Sequence, residues 1–276
     1  TNVRGEWVHL DATWQALLER GDYPESVRLV LGEALAAVAL LSATIKFDGS
    51  LIMQITGNGP ISMLVVQADG QRSLRGLAHW EGEVPMAGLA QQFGNGRMVI
   101  TIDPGKGKER YQGVVELVGD TLADALRDYF ARSEQLPTQL WLTANEQRAS
   151  GILLQALPGE NPDPDAWNRA VALADTVTDQ ELLELPAEEL IHRLYNEEDV
   201  RLFEREPVSF RCSCSSERVR NMIQNLGQDE ARDIIAEEGA IHVTCEFCNA
   251  QYHFDAVDVD LLFTETGHTG SSQTRH

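Results

Sequence analysis

Four cysteines are the residues of this chain best suited to chemistry, and they stand in two close pairs near its end. The pairs are Cys212-Ser213-Cys214 and Cys245-Glu246-Phe247-Cys248, and the first 211 residues contain no cysteine. Zn²⁺ favours four nitrogen or sulfur ligands in a tetrahedron, and two short sulfur-bearing knuckles can supply all four. The second pair has ordinary zinc-knuckle spacing. The first is tighter, and two thiols that close in sequence can also form a small-ring disulfide. The same sulfurs can therefore hold a metal or store oxidation. Ligand number and spacing predict one zinc on Cys212, Cys214, Cys245 and Cys248. A zinc-bound sulfur is a thiolate, the form that oxidants attack, so a redox role is chemically open but not dictated by spacing.

Other candidates carry less. His242 and His253 lie near the second pair, but four cysteines already fill a tetrahedral site, which leaves the histidines as surface or packing residues. Gly105-Lys106-Gly107-Lys108 lacks the spacing of a phosphate loop and reads as a turn, as do Gly57-Asn58-Gly59-Pro60 and Gly94-Asn95-Gly96. Neither Gly-x-Ser-x-Gly nor His-Glu-x-x-His occurs, and the scattered carboxylates do not pair into an acid/base site from sequence. Trp7, Trp14, Trp80, Trp141 and Trp167 are dispersed and suit core or interface positions.

These sulfurs need elements to position them. The chain has 276 residues, 43% of them apolar, enough for roughly two domains. Residues 1–158 alternate helical and strand patterns and are expected to form one α+β domain with a mixed sheet. Asp11–Arg20 and a longer segment from Pro24 read as helices, the second carrying Val27, Leu31, Leu35, Val38 and Leu41. Leu51–Ile55 and Ile61–Val66 read as strands around the Gly57–Pro60 turn. Arg97–Ile102 and Tyr111–Val118 flank a second turn at Asp103–Gly107. Asp120 is a candidate cap for a helix holding Leu122, Leu126 and Phe130. Leu140–Thr143 and Ile152–Leu157 are further strands.

A breaker cluster, Pro158-Gly159-Glu160-Asn161-Pro162-Asp163-Pro164, then changes the texture. Residues 159–206 read as an acidic amphipathic helical linker. Between Glu160 and Glu206 fourteen acidic residues face four basic ones. Thr178 with Glu181 makes a capping box, and Pro186 suits a first helical turn. Leu182, Leu185, Leu190, Leu194 and Tyr195 form an apolar stripe. Such dense negative charge should make the linker easy to unfold.

Residues 207–264 read as a small zinc-binding domain. A helix with Val219, Ile223 and Leu226 stops at Gly227, and one with Ala231, Ile234 and Ile235 stops at Gly239. Ile241–Thr244 and Tyr252–Phe254 are strands around the second knuckle, with Asn249 in a left-handed turn. Residues 265–276 read as a disordered tail. A fold this small rarely stands on its core alone, so bound metal would decide whether it is folded.

Composition narrows the partners. The formal net charge is −21, with lysine only at Lys46, Lys106 and Lys108. Such a surface repels phosphate backbones, so nucleic acid is not expected as a partner. Ala34–Ile45 is the longest apolar stretch. It is too short and too closely flanked by charge for a membrane span, and reads as a buried helix. No signal peptide is visible at Thr1, although the chain starts without Met. Paired cysteines without an export signal point to a reducing cytoplasm and a metal.

The chain resembles the redox-regulated heat-shock chaperones of thirty-three kilodaltons. The paired cysteines at this separation carry the likeness, and so do Ile45-Lys46-Phe47-Asp48-Gly49 and the Gly57–Pro60 turn. Glu109–Val115, Gly119-Asp120-Thr121-Leu122, Ser133–Thr138 and Arg193-Leu194-Tyr195 with Glu197-Glu198 extend it over essentially the whole chain. Family members usually begin with a further short segment. The resemblance implies an ATP-independent holdase, inactive while reduced with zinc on the four cysteines. It implies that oxidation joins Cys212 to Cys214 and Cys245 to Cys248 and releases zinc. The zinc unit and linker then unfold, the protein dimerises, and unfolding client proteins are captured.

Two other classes compete. A nucleic-acid-binding zinc protein needs a basic face, but residues 207–263 hold four arginines, Arg211, Arg218, Arg220 and Arg232, against ten acids. A dithiol oxidoreductase using Cys245 and Cys248 needs a thioredoxin-like sheet, which the pattern does not supply. A constitutive binding protein with a purely structural zinc site is the remaining alternative.

Overall fold

The structure is a computed structural model that describes residues 2–45, 48–105, 107–133, 136–159 and 163–266. Lys46-Phe47, Lys106, Glu134-Gln135, the centre of the breaker cluster (160–162) and the end of the expected tail (267–276) lie outside these residues. The chain forms two compact units, residues 1–211 and 212–276. With helices and mainly antiparallel sheets in one chain, it has the α+β architecture expected from the sequence.

In the first unit, β1 (Val3–Leu10) is followed by α1 (Ala12–Leu18) and α2 (Glu25–Thr44). A strand meander follows, β2 (Ser50–Thr56), β3 (Ile61–Asp69) and β4 (Ser73–Trp80), then α3 (Leu89–Phe93), β5 (Arg97–Asp103) and β6 (Tyr111–Glu116). After α4 (Leu122–Ser133) come β7 (Thr138–Ala144) and β8 (Ala149–Ala156). The acidic segment folds as α5 (Ala166–Ala174), α6 (Asp179–Glu184) and α7 (Ala187–Tyr195), and β9 (Ser209–Phe210) ends the unit. One sheet runs β6-β5-β2-β3-β4-β9, antiparallel except for the β4–β9 pair; the other runs β1-β8-β7 and is antiparallel throughout.

α2 packs against both sheets, which explains its sequence. Val27, Leu31, Ala34, Leu35, Ala36, Ala37 and Val38 are fully buried, so no single apolar stripe is visible. Gly32 lets the helix approach closely, since a Cβ there would lie 2.5 Å from the Ala144 Cβ. By length and composition α2 could cross a membrane, and its twenty residues exceed the apolar stretch read from the sequence. In the fold those residues form the centre of the core.

β8 is the middle strand of its sheet and is buried from Ala149 to Gln155. One face meets α2. The other contributes Ile152 and Leu154 to a second cluster with Leu182, Leu190, Leu194 and Tyr195 of the acidic helices. Trp7 and Trp141 flank that cluster, and the Trp141 indole N–H donates to Asp175 at 3.0 Å. The stripe expected on the acidic segment is thus packed against a sheet.

Several local expectations change. The sequence reading assigned no strand before Asp11, yet β1 lies there and pairs along β8 from Val3↔Ala156 to Leu10↔Ala149. β4, α3, α5 and β9 were likewise not expected, nor was a helix over Ala256–Thr266, which takes in the first two residues of the expected tail. The cap of α4 is Thr121, which exchanges hydrogen bonds with Asp124. The expected cap, Asp120, instead accepts from the Leu89 N–H through its backbone carbonyl. The Thr178–Glu181 capping box forms as expected. Pro186 is the N-cap of α7, one residue before its first turn.

The second unit contains α8 (Ser216–Leu226), α9 (Gln228–Glu238), the antiparallel hairpin β10 (Ile241–Thr244) and β11 (Gln251–Phe254), and α10 (Ala256–Thr266). Gly239 ends α9 in the left-handed region at φ 82°, where a side chain would be strained. The unit has its own small core: Val219, Ile223, Ala231, Ile241, Phe254, Val259 and Leu262.

Candidate metal centre

The two knuckles are built by different local devices. Cys245 and Cys248 lie at the turn between β10 and β11. The Cys245 N–H donates to the Ala250 carbonyl at 2.9 Å, and the Asn249 N–H returns to the Cys245 carbonyl at 2.7 Å. Asn249 takes the left-handed conformation that this return requires, at φ 59°, as its residue type predicted. The first knuckle leads into α8. Ser215 caps that helix by accepting from the Arg218 N–H, and the Arg218 guanidinium reaches back to the Ser213 hydroxyl at 2.6 Å. The sequence reading gave Ser213, Ser215 and Arg218 no part in positioning the sulfurs. A serine opening a helical pattern was the available signal.

These devices bring the four sulfurs together. All four lie within 4.8 Å of one another, with Cys212 Sγ 3.6 Å from Cys245 Sγ and Cys214 Sγ 3.3 Å from Cys248 Sγ. A tetrahedral ion with metal–sulfur bonds of about 2.3 Å places its sulfurs about 3.8 Å apart, so this cluster has the right size and donor set for a thiolate-bound metal ion. All four cysteines are free thiols and half-buried. Burial pushes the Cys248 thiol up to about 12, with the neighbouring thiols of Cys214, Cys212 and Cys245 adding to it. Burial raises Cys245 too, while the N–H groups of Phe247 and Cys248 oppose the rise. Without a cation the cluster therefore favours neutral thiols, and a cation would draw the protons off.

Tyr252 was also missed. Hydrogen bonding to Cys214 pushes its hydroxyl up to about 12, with burial adding to the effect. It pairs with Val243 across the hairpin, so strand alternation directs both to the face opposite His242 and His253. Those histidines are exposed, and among the described residues the cluster of potential ligands comprises the four cysteines alone.

Comparison with known proteins agrees with this arrangement. Residues 1–255 match the family described as Hsp33 protein. The chain is 53% identical over 274 residues to the 33 kDa chaperonin of Nitrosococcus oceani, covering 99% of this chain and 94% of that one. It is 47% identical to the 33 kDa chaperonin of Methylobacillus flagellatus, covering 100% and 95%. The crystal structure of the 33 kDa chaperonin (heat shock protein 33 homolog) of Thermotoga maritima shares the fold. Its TM-score is 0.84 at 23% identity, covering 96% of this chain and 95% of that one. Family and relatives alike indicate a chaperone rather than an enzyme, one that binds unfolded client proteins. With a sulfur cluster sized for a metal ion and a family match over nearly its whole length, the chain belongs to the Hsp33 family.

Proposed function

We propose that this protein is a redox-regulated, ATP-independent holdase whose switch is the four-cysteine cluster. In this reading Cys212, Cys214, Cys245 and Cys248 hold one zinc ion in the reduced state. Zinc, when bound, would keep the four sulfurs as thiolates. The observation that carries the reading is the gathering of all four sulfurs within 4.8 Å in a unit with few core residues. A fold of this size draws only a few kcal/mol from its core, so the sulfur cluster decides its stability.

Oxidation then joins Cys212 to Cys214 and Cys245 to Cys248. Each new S–S bond passes two electrons to a hydroperoxide, whose O–O bond breaks and, with two protons taken up, gives an alcohol and water, or two waters from hydrogen peroxide. Two of the sulfur contacts in the cluster run between the knuckles, Cys212 to Cys245 at 3.6 Å and Cys214 to Cys248 at 3.3 Å. Pairing within each knuckle therefore pulls these contacts apart and removes the ligand set. Residues 207–264 lose their tie, and the loss passes along the chain into the acidic helices of residues 159–206. Those helices cover Ile152 and Leu154 with Leu182, Leu190 and Leu194, so their release bares apolar surface on both partners. Such surface suits unfolding client proteins and a second oxidised copy. The excess of acid disfavours nucleic acid, and the burial of α2 disfavours a membrane role. The absence of structural disulfides in this reading suits the cytoplasm.

The test is to measure zinc content and suppression of client aggregation on one sample, first reduced and then oxidised with hydrogen peroxide. The expected result is one zinc and weak suppression, then loss of zinc and strong suppression without ATP. Equal, strong suppression in both states would leave only a constitutive binding protein with a structural metal.

A further inference from the structure

The hairpin that presents Cys245 and Cys248 has a second, exposed face. Ile241 and Phe254 are buried and Val243 and Tyr252 half-buried, whereas His242, Thr244, Gln251 and His253 are exposed. Since Cys245 donates to Ala250 at 2.9 Å, the alternation of an antiparallel ladder makes Val243–Tyr252 and Ile241–Phe254 its hydrogen-bonded pairs. His242 and His253 are then a non-hydrogen-bonded pair, the kind in which facing side chains stand closest. Their ring centroids are 4.7 Å apart and their Nδ1 atoms 3.4 Å apart.

That separation is long for a hydrogen bond between ring nitrogens. It matches another geometry. Two imidazole nitrogens bound to one tetrahedral ion at about 2.0–2.1 Å stand about 3.3–3.4 Å apart, whereas a right-angled arrangement brings them to about 2.9 Å. We propose that His242 and His253 form a second metal site, a cross-strand chelate that binds a divalent ion of the zinc class through both Nδ1 atoms. Its other two positions face solvent.

Three features favour the site. Neutral imidazole is a preferred ligand for this class of ion. The two donors stand on paired strands, so their backbones are already positioned. The surrounding unit is acidic, with ten acids against four arginines over residues 207–263, which raises the local concentration of cations. The site is separate from the sulfur cluster, because the histidines project from the opposite face of the hairpin and four sulfurs complete a tetrahedron by themselves. An ion held there would tie β10 to β11 and so brace the turn that carries Cys245 and Cys248.

The experiment titrates the reduced full chain with Zn²⁺ by calorimetry at neutral pH, after one equivalent has bound. The expected result is a second, weaker equivalent per chain. Losing one donor turns a chelate into a single imidazole, so His242→Ala and His253→Ala should each weaken that equivalent by at least about tenfold. His192→Ala should leave it unchanged. Retention of the first equivalent reports that a variant's hairpin is intact. NMR of the unsubstituted protein supplies a readout independent of the variants: of seven histidines, two should shift their ring resonances with the second equivalent. No second equivalent, one that survives both alanine variants, or ring shifts spread over other histidines would overturn the site. The first equivalent reads the thiolates and the second the imidazoles, so the two assignments fail separately.

Discussion

Cys245 and Cys248 are held by backbone hydrogen bonds of their own turn, whereas the Cys212–Cys214 knuckle depends on side chains that follow it, Ser215 and Arg218. Losing a sulfur from each knuckle leaves two donors for an ion that needs four. Cys214→Ser combined with Cys248→Ser should lower the tightly held zinc from about one per chain to near zero, measured as metal-to-protein ratio after gel filtration. A ratio that stays near one would refute the ligand assignment. Arg218→Ala removes the brace on Ser213 but no ligand. It should retain the metal yet release it to a chelator about tenfold faster, as loss of supporting hydrogen bonds around metal ligands commonly does. Stopped-flow chelation against the unsubstituted protein measures this.

Among the elements, the acidic helices decide most. Fourteen acids against four arginines over residues 160–206 would repel one another, but the fold uses its arginines as ties. Arg169 pairs with Glu198 and, at 2.7 Å, with Asp163; Arg193 pairs with Glu181 and Arg205 with Glu188. These pairs are at most partly buried and contribute little each. Leucine burial contributes more, about 1.5–3 kcal/mol per side chain. Replacing Leu190 and Leu194 together with serine should therefore loosen the docked helices by several kcal/mol and give suppression of aggregation in the reduced state. If the same variant instead loses activity only when oxidised, these leucines serve clients rather than docking.

α2 supplies a pH test of the same contact. Burial pushes the Glu33 carboxyl up from 4.5 to about 7, with Asp179 of α6 and Asp124 of α4 adding negative charge. A carboxyl raised in the folded state stabilises fully below the unfolded value, and that contribution falls as pH rises through the folded one. Stability should thus decline from about pH 4.5 to 7 through this group, by at most about 3 kcal/mol, and by less because part of the side chain stays open to solvent that screens it. In urea melts across this range, Glu33→Gln should show a flatter decline than the unsubstituted protein. Identical slopes would remove Glu33 from the account.

At the scale of the molecule, core size and cysteine content are unequally shared. Residues 1–211 hold a large core spanning two sheets and α2, and residues 212–276 hold a small one beside all four cysteines. Oxidation should therefore act unevenly. Hydrogen exchange on the peroxide-treated protein should show lost protection across α8, α9 and the β10–β11 hairpin and across α5–α7. β2–β5 and α2 should keep theirs. Protection that persists in the hairpin after zinc loss would separate the metal from the stability of its unit.

Much of this organisation is legible in the chain itself. The knuckle spacing, the left-handed Asn249, the Thr178–Glu181 box and the leucine stripe all depend on neighbours within a few residues, where local sterics and hydrogen bonding decide. The strands β10 and β11 were legible for the same reason. β1 was not, because its identity rests on pairing with β8, about 150 residues away, and no local pattern encodes a partner that distant. The cap of α4 went to Thr121 rather than Asp120 because the Asp120 backbone is drawn to Leu89 at 3.1 Å. The docking of the acidic helices also needed the tertiary structure: an amphipathic stripe shows that a face must be covered, but only the fold shows that Ile152 and Leu154 cover it. The pairing of His242 with His253 is of this kind as well. Eleven positions separate them, and the ladder register alone sets their rings face to face.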